Sequence, residues 1–309
     1  MGDYMVRATA ARERVRAVAT VTTEMVEDAR IRHAMSATAT AALGRSLTAA
    51  ALLSAGLKDG QSVTLRVLGD GPAGGIITQA DAAGRVRGYV MNPQADLPAT
   101  PARKLDVGGL VGRNGMLHVT RDLGMRTPYY GSAPLVSGEI AEDLAAYFAR
   151  SEQVPSAVAL GVLVGRDLRV LAAGGLCVQA LPGADPEVIA QVETRVRALP
   201  PITDLVAAGQ TPERLIAAAL DGLAPDAREA AGPVSFTCRC SRQRVEEMLS
   251  VLGAGELQTL LDQEGRAEVT CRFCGDRYVL NEDEMRALIA ALRRGAAGAA
   301  PQHPGDAAV

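Results

Sequence analysis

The residues best equipped for chemistry are cysteines. Four of the five lie in two close pairs, Cys238-Arg239-Cys240 and Cys271-Arg272-Phe273-Cys274, with thirty residues between the pairs. Two pairs of sulfur donors, separated by enough chain to fold back, have the layout of a tetrahedral four-cysteine zinc site. The first pair has one intervening residue where two are usual. Thiols this close can hold a metal or close into two local disulfides. There is no His between residues 119 and 302, so four sulfurs are the only local ligand set.

The ligands dictate what such a site can do. Zinc binds thiolates, which keeps the sulfurs deprotonated and nucleophilic. An oxidant that reaches one makes a sulfenic acid, and this condenses with a neighbouring thiol. A disulfide sulfur is a poor zinc ligand, so the metal leaves. A module of this size has a thin core, and structural zinc contributes on the order of 10 kcal/mol or more to folding in small units. The site is therefore either a plain staple or a redox switch, and a switch couples zinc release to loss of helicity.

Other candidates are weaker. Cys177, in an apolar run, reads as an inert buried thiol. Gly69-Asp70-Gly71-Pro72-Ala73-Gly74 matches a dinucleotide-binding glycine pattern, but Pro72 and the run from Ile76 to Ala80 predict a turn between strands. His33 and His118 read as structural, and no hydrolase or metalloprotease motif occurs. Catalytic residues are therefore not expected. The net charge of −3 argues against a protein devoted to nucleic acid. Residues Pro233 to Leu280 carry six Arg against seven Asp plus Glu, which gives no basic face for a zinc-ribbon nucleic-acid binder. A dithiol oxidoreductase is the other rival, but Cys274 leads into strand-like Tyr278-Val279-Leu280 instead of a helix start. No secretory signal and no membrane span are visible. The expected compartment is a reducing cytoplasm, where paired cysteines bind metal or do redox work.

The elements that must position the cysteines fall into three regions. Residues 1–180 read as an α+β core domain. Its strands are expected at Arg14 to Val21, Ser62 to Gly69, Ile76 to Asp81, Arg85 to Met91, Met116 to Arg121, Ala157 to Val164 and Arg169 to Ala180. An Ala-rich stretch from about Glu24 to Leu57 favours helix, divided near His33 or at Gly44. Ile140, Leu144, Tyr147 and Phe148 form one helix face. Strands and helices do not alternate regularly, which favours a mainly antiparallel α+β fold. Residues 181–232 read as a helical linker. Asp185-Pro186 and Thr211-Pro212 open short Ala-rich helices, and Pro200-Pro201 and Gly222 stop them. With no aromatic residue, these helices bury little area and depend on their neighbours. Residues 233–294 form the cysteine module, with apolar stripes at Val245, Met248, Leu249 and Leu252, at Leu257, Leu260 and Leu261, and at Met285, Leu288, Ile289 and Leu292. Residues 295–309 read as a disordered tail.

Phe236-Thr237-Cys238-Arg239-Cys240-Ser241 with Cys271-Arg272-Phe273-Cys274 resembles the 33-kDa heat shock chaperonin family of bacterial redox-regulated holdases. So do Gly69-Asp70-Gly71-Pro72, Arg87-Gly88-Tyr89-Val90-Met91-Asn92-Pro93 and Tyr147-Phe148-Ala149-Arg150-Ser151-Glu152-Gln153-Val154-Pro155. The likeness runs in order to about residue 292. It implies an ATP-independent chaperone that is inactive when reduced and zinc-bound through Cys238, Cys240, Cys271 and Cys274. It further implies that oxidation joins Cys238 to Cys240 and Cys271 to Cys274, expels the zinc and unfolds the module and linker. The active form would be a homodimer holding unfolded client proteins. Val188, Ile189, Val192, Leu215, Ile216 and Leu220 of the linker are candidates for client contact.

Overall fold

Sixteen positions of one helix, all Thr, Ala, Ser or Leu except Gly44, are buried, and the core domain is built around it. The computed structural model describes residues 2–223 and 225–298. In chain order, β1 (Tyr4–Ala10) and β2 (Val15–Val21) form a hairpin, followed by α1 (Thr23–His33) and α2 (Ala37–Ser54). Next come β3 (Ser62–Leu68), β4 (Ile76–Asp81), β5 (Arg85–Val90), α3 (Val107–Val111), β6 (Met116–Asp122) and β7 (Tyr129–Pro134). Helix α4 (Ala141–Tyr147) runs into a π turn (Phe148–Glu152), and β8 (Ser156–Val164) and β9 (Val170–Ala180) follow. Helices α5 (Pro186–Ala198), α6 (Ile202–Ala207) and α7 (Pro212–Ala219) lead to β10 (Pro225–Pro233) and the short β11 (Ser235–Phe236).

Two sheets result. One has strand order β10-β1-β2-β9-β8, and the other β11-β5-β4-β3-β6-β7. All pairings are antiparallel except that of β11 with β5. Helix α2 packs on strands of both sheets. A helix buried on every side has no polar stripe, and this one satisfies its hydroxyls locally. Thr48 Oγ1 donates to Gly44 O at 2.8 Å, and Ser46 Oγ meets Thr78 Oγ1 at 3.0 Å. The division between α1 and α2 falls at Ala34, whose backbone is left-handed (φ 48°). Gly44 does not divide the helix. A Cβ there would lie 2.6 Å from Val26 Cγ1 and 2.9 Å from Val162 Cγ2, so this glycine serves close packing.

The outer face of the first sheet is apolar and is covered by α5, α6 and α7. Val6, Ala8, Ala17, Ala19, Leu176 and Val178 form one buried cluster with Val192, Ile202, Leu215, Ile216, Ala219 and Leu220. Beneath α6, Gly161 and Gly174 face each other across β8 and β9 and leave no side chain between sheet and helix. A Cβ on Gly161 would lie 2.9 Å from Thr203 Cγ2, and one on Gly174 would lie 3.1 Å from Val206 Cγ2.

Four strands escape the sequence reading: β1, β7, β10 and the short β11. The end of the expected helical linker is the strand β10, because Pro225–Pro233 pairs antiparallel with β1. Its Ala, Glu and Arg content favours helix locally, and the sheet edge overrides that propensity.

One compact unit ends at Cys238 and a second begins at Arg239. The second holds α8 (Arg242–Ser250), α9 (Gly253–Glu264), the hairpin β12 (Ala267–Thr270) and β13 (Arg277–Leu280), and α10 (Glu282–Gly298). Its core is Val245, Leu249, Leu257, Leu261, Ala267, Leu280, Met285 and Ile289. Helix α10 starts at a capping box. Asn281 Oδ1 accepts from Glu284 N at 3.0 Å, and Glu284 Oε2 accepts from Asn281 N at 2.8 Å. The helix continues to Gly298, past the expected start of the tail at 295, because Ala-rich sequence sustains helix. The rest of that tail, 299–309, lies outside the described residues.

Candidate metal centre

Each cysteine pair is placed by a different local device. Cys238 follows β11, whose Ser235 and Phe236 pair with Arg85 and Val86 of β5. Cys240 precedes Ser241, whose hydroxyl caps α8 by accepting from Arg244 N at 3.3 Å. Cys271 and Cys274 sit in the turn of the β12–β13 hairpin. There Cys271 N donates to Asp276 O and Gly275 N donates to Cys271 O, both at 2.8 Å. This knuckle points two sulfurs the same way.

The ligand atoms of Cys238, Cys240, Cys271 and Cys274 all lie within 4.8 Å of one another, and Cys240 Sγ is 3.3 Å from Cys274 Sγ. A tetrahedral zinc with Zn–S bonds of about 2.3 Å requires sulfurs about 3.8 Å apart, a spacing these values bracket. The donor set is soft and closed, as structural zinc requires. No disulfide joins any of the five cysteines. The Tyr278 hydroxyl donates to Cys240 Sγ at 3.1 Å. That bond, with the nearby negative charge, raises the phenol's pKa above its usual range. From the core sheet, Arg87 Nη1 donates to Cys238 Sγ at 3.8 Å.

A search against family models matches residues 3–281 to the model described as Hsp33 protein. The chain belongs to the Hsp33 family. The 33 kDa chaperonin of Desulforamulus reducens is 48% identical over 94% of this chain and 98% of its own. That of Geobacillus kaustophilus is 44% identical over 93% and 98%. The crystal structure of the 33 kDa chaperonin from Thermotoga maritima superposes with a TM-score of 0.86 at 39% identity, covering 93% of this chain and 98% of the other. As an Hsp33 chain with a four-cysteine cluster, the protein is a redox-regulated holdase chaperone and not an enzyme. Its α+β fold with a small cysteine-cluster subdomain agrees with the architecture expected from sequence.

The remaining sequence candidates lie elsewhere. Cys177 is buried on β9, and burial pushes its thiol up to about 12, so it stays protonated and inert. The glycine loop between β3 and β4 spends its amides internally: Gly71 N donates to Val111 O at 3.0 Å and Ala73 N to Leu110 O at 2.9 Å. Such a loop has few N–H groups left for a phosphate. His33 Nε2 lies 3.1 Å from Gly88 O, and His118 lies within β6. His303 is outside the described residues. Sequence reading missed Arg87 and Tyr278 as neighbours of the sulfurs. Alternation along β13 offers a faint signal for Tyr278. Nothing local could pair Arg87 with a cysteine 151 residues away.

Proposed function

We propose that Cys238, Cys240, Cys271 and Cys274 hold one Zn²⁺ per chain as thiolates in the reduced protein, and that their oxidation switches the chaperone on. The single observation carrying this reading is the convergence of all four sulfurs within 4.8 Å. When bound, the metal supplies the cross-link that a thin core lacks. A peroxide transfers oxygen to one sulfur of a pair and is reduced to water. The second sulfur of the pair then attacks the sulfenic acid and expels hydroxide. The disulfides formed are Cys238 with Cys240 and Cys271 with Cys274. Each withdraws two electrons from a pair and removes two ligands, so the zinc is released.

The linker follows. Its apolar residues Val192, Leu215, Ile216 and Leu220 are buried against one another and against the outer sheet face. Loss of the module exposes that face and the helices together, which supplies apolar surface for unfolded client proteins. In this reading residues 1–180 bind clients and form the homodimer of the active state, 181–232 are the metastable linker, and 233–294 are the redox switch. The thiol chemistry suits a reducing cytoplasm. Among the described residues no helix is long and apolar enough to cross a membrane.

The test pairs two signals in one cuvette. Light scattering of a heat-unfolding client is followed with reduced and peroxide-treated protein, while a chromogenic chelator reports zinc. Suppression of scattering should appear only with zinc release. Equal suppression by both forms, or protein purified without metal, would overturn the reading.

A further inference from the structure

Cys238, the one cysteine of the cluster that belongs to the core unit, meets a cation of the core sheet. Arg87, on β5, directs Nη1 at Cys238 Sγ, 3.8 Å away. Its other two nitrogens are spoken for: Nε and Nη2 both donate to Gln79 Oε1, at 2.9 and 2.6 Å. Gln79 is the residue paired with Arg87 across the β4–β5 ladder. The planar guanidinium is thus fixed in orientation by one neighbour and aimed at another. Cys238 is delivered to it by a second device. Thr237 N donates to Val86 O at 2.7 Å, and Ser235 N donates to Gly84 O at 3.1 Å. The Phe236 side chain is buried, 5.8 Å from the Arg32 guanidinium and edge-on to His33 at 6.2 Å. The first sulfur of the cluster is therefore clamped to the core sheet on both its backbone and its side-chain sides.

We propose that Arg87, aimed by Gln79, is a positioning residue for the metal centre, holding Cys238 in ligand geometry and offsetting the charge of the site. The inference rests on the four-cysteine reading above. Four thiolates around a divalent cation keep a net double negative charge, and a fixed guanidinium beside one sulfur stabilises it. An N–H donated to sulfur also draws electron density from it, which slows attack on an electrophilic oxidant. Arg87 thereby sets how readily the site lets its metal go.

The experiment uses the full-length reduced chain with zinc or cobalt(II) as the probe. Zinc affinity is measured by chelator competition for wild type, Arg87→Gln, Arg87→Lys and Gln79→Ala. The sulfur-to-cobalt charge-transfer band is recorded for each. Removing partners of this kind weakens metal binding about 10- to 100-fold. Arg87→Gln should show such a loss and a shifted band, with the thermal melt of the core retained. Arg87→Lys and Gln79→Ala should fall between it and wild type, and they serve as the test should Arg87→Gln fail to fold. A residue that merely supports the sheet would lower the melt and leave the cobalt band in place. Affinity within twofold of wild type and an unshifted band in all three variants would overturn the inference while the four-cysteine reading stands. A wild-type chain that binds neither ion would overturn both.

Discussion

Gly161→Ala should loosen the linker without weakening the sheet that carries it. A Cβ at this position would lie 2.9 Å from Thr203 Cγ2, 3.1 Å from Thr203 N and 3.4 Å from Ile202 Cβ. Carbon contacts are optimal near 3.5–4.0 Å, so α6 must rise by about 0.5–1 Å. Such overpacking costs about 1–3 kcal/mol, which raises the undocked population of the linker roughly 5- to 150-fold. The same substitution removes a flexible glycine from the unfolded chain, worth about 0.4–1 kcal/mol in favour of the fold. The two effects act on different segments and can be separated. Native-state hydrogen exchange of the reduced, zinc-loaded protein should show protection falling across α5 to α7 and holding or rising in α2. Reduced variant should also suppress client aggregation in part, ahead of any oxidant. Linker protection equal to wild type, or an equal loss in α2 and α6, would refute the reasoning that α6 is seated by the Gly161–Gly174 pair.

Three further outcomes follow from the geometry. Chelation of zinc from the reduced chain should abolish the far-ultraviolet circular dichroism of α8 to α10, because structural zinc contributes on the order of 10 kcal/mol to a unit with so few core residues. Cys177→Ala should leave peroxide-triggered zinc release unchanged in stopped-flow traces, since its buried thiol, pushed up to about 12, offers no thiolate. Asp3 accepts from Met25 N at 2.7 Å, yet its burial raises its pKa from 3.8 to about 6. The folded state thus favours the protonated acid, so this contribution is full below pH 3.8 and is lost as pH rises through about 6. Relative to Asp3→Asn, wild type should lose about 3 kcal/mol of stability between those limits, measured by urea midpoints across the pH range.

The four-cysteine cluster was legible because its information is local. Ligand spacing within Cys238-Arg239-Cys240 and Cys271-Arg272-Phe273-Cys274 survives any fold that brings two pairs together. Strands β4 and β5 were readable for the same reason, as was the apolar stripe of Met285, Leu288, Ile289 and Leu292 on α10. What stayed hidden depends on partners far along the chain. Pro225–Pro233 has no strand signal of its own and becomes β10 only because β1 offers an edge. Gly44 looks like a break in a helix until Val26 and Val162 are seen to close over it. Arg87 looks like any surface arginine on a strand until β11 lays Cys238 beside it.

The β1–β10 ladder bears on how the molecule returns to rest. Its register slips at two places, between Met5 and Val6 and between Thr9 and Ala10. Peeling such a strand away can proceed rung by rung, but closing it again requires both irregularities to be rebuilt in step, since a one-residue error turns every side chain to the wrong face. Re-forming the ladder would therefore be slower than opening it. Under the proposed switch, the time to restore this ladder would set how long the open form outlasts its trigger.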